Sequence, residues 1–528
     1  MRLTSGSGLA LATRALLFTL LFNLPYIATF LVDGCYHHAL VSDVDELCYL
    51  PRTIDIGAGV SPSRFFIEHT AEVSRLQVAL NEPYSLPEVV FGSLAAVLHI
   101  PAFCLGLLLD VILVWATYVI TARCFRLLSP SSLAAEIGVL MYIAFPLLFP
   151  LDQWVQTDLS WTGFLVAADV GATSGLPAVR GLSTQTSYIF YSLFLLSLVR
   201  AFLGDSPRGK LRSFALAGLW SGVLIHVYFF AWVTSFVLAG LAMLGVLLFR
   251  SRALGTGFGE MVKGGFAFGI AHLLVATPGV LVMMFGSGFH SVTKFPELRA
   301  YWYFTIEVFG VLIATTWLLV KTRRSDDRRL RVILTLLWTL PLAQLLLMNL
   351  QPILATFLTP FRFVHLYLHP LFTGLLTTLL VSRIVRLRRK SRLLGLAIVL
   401  LFPFIRPVNV ERLKQSSKTL FATFRPEGTK DELQRLIDLL RETLKPNDVL
   451  AVMSAHEVYR DIPGGYIWRA LPNVLNAFTG NPLLHQHWVL PVDISGRETL
   501  ERELVLTWLF TGRPHLLVPC VDRPVELP

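Results

Sequence analysis

Three carboxylates stand close together directly after the first apolar segment of the chain. Asp43, Asp45 and Glu46 follow a hydrophobic run that ends at Val32. A carboxylate in such a place can act as a general base, taking the proton of a hydroxyl group as that group attacks an electrophilic carbon. The same residues also fit the first turn of a surface helix, where acidic side chains interact favourably with the helix dipole. The residues alone leave both interpretations open.

Two further segments carry isolated cations next to apolar runs. Arg180 precedes a small polar stretch that contains Gln185 and leads into a hydrophobic run, and Arg362 is the only charged residue between Arg331 and Arg383. A planar guanidinium group can hold a phosphate with two parallel hydrogen bonds. Arginines at a membrane boundary also extend their charge into the headgroups without binding a ligand. Phosphate binding and membrane anchoring are therefore the two interpretations.

The spacing of histidines and cysteines does not require a metal site. His365 and His369 are one helical turn apart, as in a two-histidine site, but no acidic third ligand is near them in sequence. We therefore favour histidines that are hydrogen-bonded in the core or at an interface, and a divalent metal stays an open possibility. Cys35 and Cys48 flank the acidic loop and are equally compatible with a disulfide and with two free thiols.

The composition indicates a protein embedded in lipid. Of 528 residues, 54% are hydrophobic and 15% are charged, whereas globular proteins have about 25% charged residues. Since a helix needs about 20 apolar residues to cross the hydrocarbon, we predict an all-α polytopic membrane protein with about 11 transmembrane helices. The long run at 213–249 must be divided, with a break at 226–230. The predicted spans are 13–32, 101–122, 132–150, 186–203, 213–229, 231–249, 262–284, 302–320, 332–349, 363–382 and 393–405.

Lysine and arginine are distributed unevenly among the connections between these spans. Of the 30 Lys and Arg residues up to residue 405, 23 fall on one side of the predicted topology and 7 on the other. Positive residues stay on the cytoplasmic side, so we predict a cytoplasmic N-terminus and an extracytoplasmic acidic loop. Residues 405–528 hold 15 Lys/Arg and 15 Asp/Glu. The net charge of +10 therefore reflects topology and not binding of nucleic acid.

Two loops and a tail lie on the outer side in this topology. Residues 33–100 form the first outer loop, and its last part, 86–100, is apolar but short, as expected of a helix at the membrane interface. Residues 150–185 form the second outer loop. We predict that the transmembrane domain covers residues 1–405 and that residues 406–528 form a small, soluble, extracytoplasmic α/β domain.

Besides His365 and His369, five acidic or histidine residues fall inside predicted spans, where they are costly unless they are paired or solvated. We expect each of them to be satisfied by a neighbouring helix or by an interface. A transport relay is the alternative, although the residues do not cluster into matching halves. They are Asp110, Glu136, His226, His272 and Glu307.

The acidic loop resembles the D-E-x-x-Y-L-x-R pattern in the first outer loop of bacterial GT-C glycosyltransferases that use polyprenyl-phosphate sugars. Asp45, Glu46, Tyr49, Leu50 and Arg52 match this pattern in register. The sequence departs from it in one respect, because a proline stands directly before the arginine. A proline restricts the residue before it and bends the chain, so we expect the arginine side chain to point in a different direction from that in the family pattern.

Two other segments are similar to the same superfamily. Arg180 and Gln185 match an arginine that is followed by a small polar stretch with a glutamine at the start of a span. Residues 360–363, with Arg362, resemble the P-x-R-F segment that opens a late span. The specific motifs cover only these short segments, whereas the layout of one span, a long acidic outer loop and many further spans is similar over much of the membrane portion.

The resemblance implies an all-helical membrane bundle with an active site on its outer face. The implied activity is that of an inverting glycosyltransferase, similar to mannosyl- and aminoarabinose transferases, that moves a hexosyl or pentosyl group. Asp45 would be the leading base, assisted by Asp43 or Glu46. The implied ligands of the substrate or of its lipid phosphate are Tyr49, Arg52, Arg180, Gln185 and Arg362.

The same resemblance implies the partners and the location of the protein. The donor would be a polyprenyl-phosphate sugar, the acceptor a lipid, a glycan or a protein, and the surroundings the lipids of a bacterial inner membrane. A transporter or flippase of a lipid-linked saccharide is the first alternative, and inverted repeats with paired charges at the bilayer midplane would favour it. A non-catalytic scaffold with an outer binding tail is the second.

The topology predicts the location of the tail. A reporter enzyme that is active only outside the cytoplasm, fused after residue 420, should be active, because an odd number of spans follows a cytoplasmic N-terminus. A cytoplasmic signal from the same fusion would contradict the topology and would show that a span was miscounted, first of all the short span at 393–405.

Overall fold

The computed structural model describes the helical part of the chain. The described residues are 5–24, 27, 31, 53, 86–100, 102–144, 182–249, 257–285, 306–350, 363–387, 391–393, 395–397, 435, 438–440 and 442–444. About 90% of the described residues are helical, and none of them is in a strand. The predicted all-α membrane portion is thus confirmed as far as the structure describes it, whereas the α/β tail stays a prediction.

Eleven α-helices make up the described bundle. They are α1 (Ser5–Phe22), α2 (Leu86–Leu98), α3 (Ala102–Leu128), α4 (Ser132–Ala144), α5 (Leu182–Leu203), α6 (Pro207–Val223), α7 (Phe229–Leu248), α8 (Phe258–Phe285), α9 (Ile306–Lys321), α10 (Arg328–Met348) and α11 (His369–Ile384). A 3₁₀ turn, Leu224–His226, separates α6 from α7, and a π turn, Val364–Leu368, leads into α11.

Five helices are long and apolar enough to cross a membrane, which supports a membrane protein. The remaining predicted spans, up to 363–382, are also mostly helical. Around the last predicted span, the structure describes only residues 391–393 and 395–397, which are helical. The total of 11 spans therefore stays a prediction. The five helical segments are Leu108–Leu128, Ser183–Leu203, Phe229–Leu248, Phe258–Leu281 and Arg328–Met348.

The predicted division of the long run at 213–249 is confirmed. α6 ends at Val223, the 3₁₀ turn follows, and α7 begins at Phe229 after an extended residue, Tyr228. The side chain of His226 bonds across to α8, with its Nε2 atom 2.9 Å from the carbonyl oxygen of Val275. This histidine is thus satisfied by a neighbouring helix, as the sequence predicts.

Small residues allow the closest approach between helices. α6 packs against both α5 and α8. A Cβ atom added to Gly218 of α6 would overlap the carbonyl oxygen of Phe268, and one added to Gly222 would lie 2.8 Å from the carbonyl oxygen of His272. Such small residues let backbones meet where lipid provides no hydrophobic force between helices.

The connections that are rich in lysine and arginine lie together at one end of the bundle, which we call the basic end. Arg328, at the start of α10, pairs with Asp205 in the turn between α5 and α6 at 2.7 Å. Lys210 pairs with Glu260 of α8 at 3.2 Å. The hydroxyl group of Ser129, after α3, lies 2.5 Å from that of Ser382 in α11. The alternation of connections predicted from charge is thereby visible in the contacts.

Glu136 joins three helices near the same end. Its Oε1 atom is 2.9 Å from Arg14 of α1 and 2.7 Å from Arg126 of α3. Glu136 itself lies in α4, where only 17% of its side chain is exposed. The carboxylate predicted to need a neighbouring helix therefore has two cationic partners.

Arg331 ties two helix ends from inside the protein. Its side chain is completely buried. Nη1 donates to the carbonyl oxygen of Leu319 in α9 at 2.5 Å, and Nη2 donates to the carbonyl oxygen of Phe249 after α7, also at 2.5 Å. Carbonyls at a helix C-terminus lack partners within the helix and carry partial negative charge, so a guanidinium group satisfies both ends. Within the described part of the chain, no carboxylate lies at ion-pair distance from Arg331.

Loss of this guanidinium group should destabilise the bundle. Arg331→Met removes two charge-assisted hydrogen bonds and leaves two carbonyls without a partner, so the free energy of unfolding should fall by about 2–4 kcal/mol. Thermal unfolding of the purified protein in detergent measures the effect. Arg329→Met, a partly exposed neighbour on the same helix, is the matched control and should change stability little. Equal stability of the two variants would contradict the proposed capping.

Candidate active site

A buried polar layer lies at the end of the bundle opposite the basic end, and we call it the polar end. The first turns of α5 present five consecutive polar residues, 183–187, and every one of them is buried. Because α5 runs from here to the basic end, its two ends differ sharply in character. Such a run of buried hydroxyl and amide groups in a membrane helix must find partners on neighbouring helices.

Gln185 finds its partner on α3. Its Nε2 atom donates to Oδ1 of Asp110 at 2.5 Å, and both side chains are at most 3% exposed. The sequence predicts Gln185 as a site residue and Asp110 as an acid satisfied by a neighbouring helix. The structure confirms the pairing of Asp110, and it places a carboxylate beside the glutamine of the candidate site.

Two tyrosines connect α5 to the π turn before α11. The hydroxyl groups of Ser187 and Tyr367 are 2.5 Å apart, and the hydroxyl group of Tyr188 donates to the carbonyl oxygen of Leu366. The rings also pack, with the centroids of Tyr188 and Tyr367 5.4 Å apart. A π turn inserts a residue into a helix and is frequent at functional sites. Here it brings both a hydroxyl and a carbonyl group of one segment to α5.

The short helix α2 adds a further buried carboxylate to this end. α2 packs against α3 and α5, and its residue Glu88 is only 1% exposed. α2 covers the interfacial helix predicted at 86–100 and ends before His99, whose φ of 53° is the left-handed conformation that terminates helices. Sequence reasoning missed Glu88 as a candidate. The available signal was an acidic residue inside an apolar stretch. Acidic residues are also common in the first turn of a helix, so this signal did not single out Glu88.

A small apolar crevice opens between α9, α10 and α11. Leu368 and Phe372 line it, together with Val308, Leu340 and residues of similar kind. His369 and Gln344 supply polar atoms on its wall, with His369 Nε2 3.3 Å from Gln344 Oε1. The expectation that His369 is a hydrogen-bonded core residue is thus confirmed. The side chain of His365 lies outside the described residues.

Most of the predicted site residues also lie outside the described residues. Chain continuity still limits the distance of two of them from the polar end. Arg180 stands two residues before α5, and Arg362 stands directly before Phe363, which is completely buried. The residues outside the described part are Asp43, Asp45, Glu46, Tyr49, Arg52, Arg180 and Arg362.

Comparison with known proteins identifies the fold. The sequence matches no model of a protein family and no curated protein. The structure is similar to the crystal structure of ArnT from Cupriavidus metallidurans bound to undecaprenyl phosphate, with a TM-score of 0.50 and 12% sequence identity. The match covers 96% of this chain and 96% of that one. The fold expected from the sequence resemblance is therefore confirmed.

Removing one hydroxyl group tests the link between α5 and the π turn. Tyr367→Phe abolishes the hydrogen bond to Ser187, and the free energy of unfolding should fall by about 1 kcal/mol. Tyr191→Phe is the matched control, because Tyr191 is equally buried and packs on Tyr367 but its hydroxyl group has no hydrogen-bond partner. Thermal unfolding in detergent should show a loss for the first variant and none for the second. A larger loss for Tyr191→Phe would contradict the assignment.

Proposed function

We propose that this protein is an inverting glycosyltransferase that moves a sugar from a polyprenyl-phosphate donor to an acceptor hydroxyl group on the extracytoplasmic face of the membrane. The observation that carries the proposal is a fold similar, over 96% of both chains, to a protein whose structure holds undecaprenyl phosphate. The D-E-x-x-Y-L-x-R match of the acidic loop supports it independently, because the motif is read from residues and not from the fold.

The chemistry assigns separate roles to the acidic loop and to the arginines. Asp45, assisted by Asp43 or Glu46, takes the proton of the acceptor hydroxyl group as its oxygen attacks the anomeric carbon. The bond between that carbon and the phosphate oxygen breaks, and the phosphate leaves on its lipid. A single displacement of this kind inverts the anomeric configuration.

Cationic groups stabilise the charge that remains on the leaving phosphate. Arg180 and Arg362 are the proposed phosphate ligands, with Arg52 and Tyr49 as further contacts of the donor. Gln185 holds a more indirect role in this proposal, since its side-chain amide is already bonded to Asp110. Gln185 therefore fixes the first turn of α5, five residues after Arg180.

The described contacts join the two segments that follow the arginines in the sequence. Arg180 stands two residues before α5, and Arg362 stands directly before Phe363. Ser187 and Tyr188 of α5 bond to Tyr367 and to the carbonyl oxygen of Leu366. A positioned cation contributes more to catalysis than a mobile one, because its orientation is settled before the reaction. The hydrogen bonds between these segments support binding of one phosphate by both.

Transfer from a radiolabelled polyprenyl-phosphate sugar to acceptors in membranes tests the function. The most specific test is substitution of the proposed base, Asp45. General-base catalysis contributes about 10²–10⁴-fold, so Asp45→Asn should lower turnover by that order and leave the KM for the donor nearly unchanged. Asparagine has almost the same shape and keeps hydrogen-bonding capacity, so the folding of the protein should not change.

Asp43→Asn and Glu46→Gln are the matched controls in the same loop. Both should reduce transfer less than Asp45→Asn. If one of them abolishes transfer while Asp45→Asn stays active, the base is assigned to the wrong residue of the correct loop. Full activity of all three variants would make the acidic loop structural. Absence of transfer by the unchanged protein from any polyprenyl-phosphate sugar would overturn the enzymatic proposal itself.

A further inference from the structure

The edge helix α9 presents an apolar stripe that leads to a group of cations at the basic end. Phe309, Ile313, Trp317 and Val320 recur at helical spacing, and each is at least 40% exposed. The ammonium group of Lys321 lies 4.6 Å from the centre of the Trp317 ring. Tryptophan is enriched at the boundary between hydrocarbon and headgroups. This pattern is typical of a helix face that packs against acyl chains and has its last turn at headgroup level.

Three exposed cations, which we call the α9 cations, follow this stripe. They are Lys321, Arg323 and Arg324. In the described part of the chain, no carboxylate lies at ion-pair distance from any of them. Two other cations of the basic end, Lys210 and Arg328, differ in this respect because each has a carboxylate partner.

The acidic residues of the same region are either engaged or outnumbered. Asp327 caps the start of α10, where its Oδ1 atom accepts from the backbone N–H of Leu330 at 3.1 Å. Asp205 is paired with Arg328, and Asp326 is exposed in the connection. Residues 321–331 contain six cations and two carboxylates. Residues 321–331 therefore carry a local excess of positive charge, which favours binding of an anion.

The backbone that carries these cations is held in place by its own contacts. The backbone N–H groups of Thr322, Arg323 and Ser325 donate to carbonyl oxygens three or four residues earlier, at 2.9–3.1 Å. Arg331 binds the carbonyl oxygen of Leu319 from inside the protein. A preformed arrangement loses little conformational entropy when a ligand binds.

We propose that the α9 cations and the apolar stripe form a binding site for one anionic glycerophospholipid of the leaflet at the basic end. Its phosphate contacts Lys321, Arg323 and Arg324, and its acyl chains lie along Phe309 and Ile313. A zwitterionic lipid is disfavoured, because its own ammonium or choline group meets the same positive potential. This site lies at the opposite end from the candidate active site and does not depend on the proposed transferase activity.

Titration of the purified full chain with phosphatidylglycerol or phosphatidylcholine, followed by native mass spectrometry, tests the site. Phosphatidylglycerol should bind more tightly, and added salt should weaken its binding. Each cation near a lipid surface contributes about fivefold to affinity, so Lys321→Gln with Arg323→Gln and Arg324→Gln should weaken phosphatidylglycerol binding by about 10²-fold. Phosphatidylcholine binding should stay unchanged in this triple variant.

A second triple variant, Arg123→Gln with Arg208→Gln and Arg212→Gln, is the matched control. It removes three exposed cations of the same end from other helices, and it should retain the tight site. Exchanging Lys321→Arg, Arg323→Lys and Arg324→Lys should also retain it, because the charge is kept. Equal binding of the two lipids by the unchanged protein would overturn the proposal. So would equal losses in both neutralised variants, since these would show an effect of total charge instead of a site on α9.

Discussion

In hydrocarbon, a polar group without a partner costs several kcal/mol, because no water is present to replace the missing hydrogen bond. This constraint decides where polar residues stand in the bundle and which helices become neighbours. Arg331 can be completely buried because two helix C-termini offer it carbonyl oxygens at 2.5 Å. Asp110 can be buried because Gln185 of another helix donates to it. These interhelical contacts satisfy polar groups that would otherwise be buried without a partner.

The same constraint gives the two ends of the bundle different characters. At the basic end, charges pair across connections, as Arg328 does with Asp205 and Lys210 with Glu260. Among the described residues of the polar end, the interior holds mainly neutral hydroxyl, amide and aromatic groups, together with the buried carboxylates of Asp110 and Glu88. Ion pairs that join connections hold the helices at one end. At the other end, hydrogen bonds between buried side chains join the helices, as between Gln185 and Asp110.

The sequence predicts the properties that depend on local pattern. The break at 226–230 follows from the length of the apolar run and from its aromatic residues, and it is confirmed by the end of α6 at Val223 and the start of α7 at Phe229. The grouping of basic connections follows from the alternation of charge, and the ion pairs of Arg328 and Lys210 agree with it. Partners across helices are not local. The sequence indicates that Asp110 needs a partner, but only the three-dimensional packing identifies Gln185.

The sequence did not predict the π turn for a related reason. A π turn depends on whether one inserted residue gains contacts elsewhere, as Tyr367 does with Ser187, and no spacing in the chain encodes that gain. Of the predicted site residues, Gln185 alone lies within the described part. The assignment of the acidic loop and the arginines to the site is therefore based on the sequence motifs. The fold agrees with those motifs without testing them.

His272 shows how packing decides between a structural and a transporting role for a titratable residue in a span. The indole N–H of Trp232 can only donate, so Nε2 of His272, 3.2 Å away, accepts and Nδ1 carries the proton. Nδ1 then donates to Ser221 at 3.1 Å, Ser221 donates to Ser235 at 2.7 Å, and Ser235 donates to the carbonyl oxygen of Trp232 at 2.8 Å. The chain of hydrogen bonds returns to the residue from which it began. A proton relay needs a path that enters on one side and leaves on the other. This closed ring joins α6, α7 and α8, and it connects to no further titratable side chain among the described residues. His272 therefore stabilises the packing of three helices and gives no support to a transport relay.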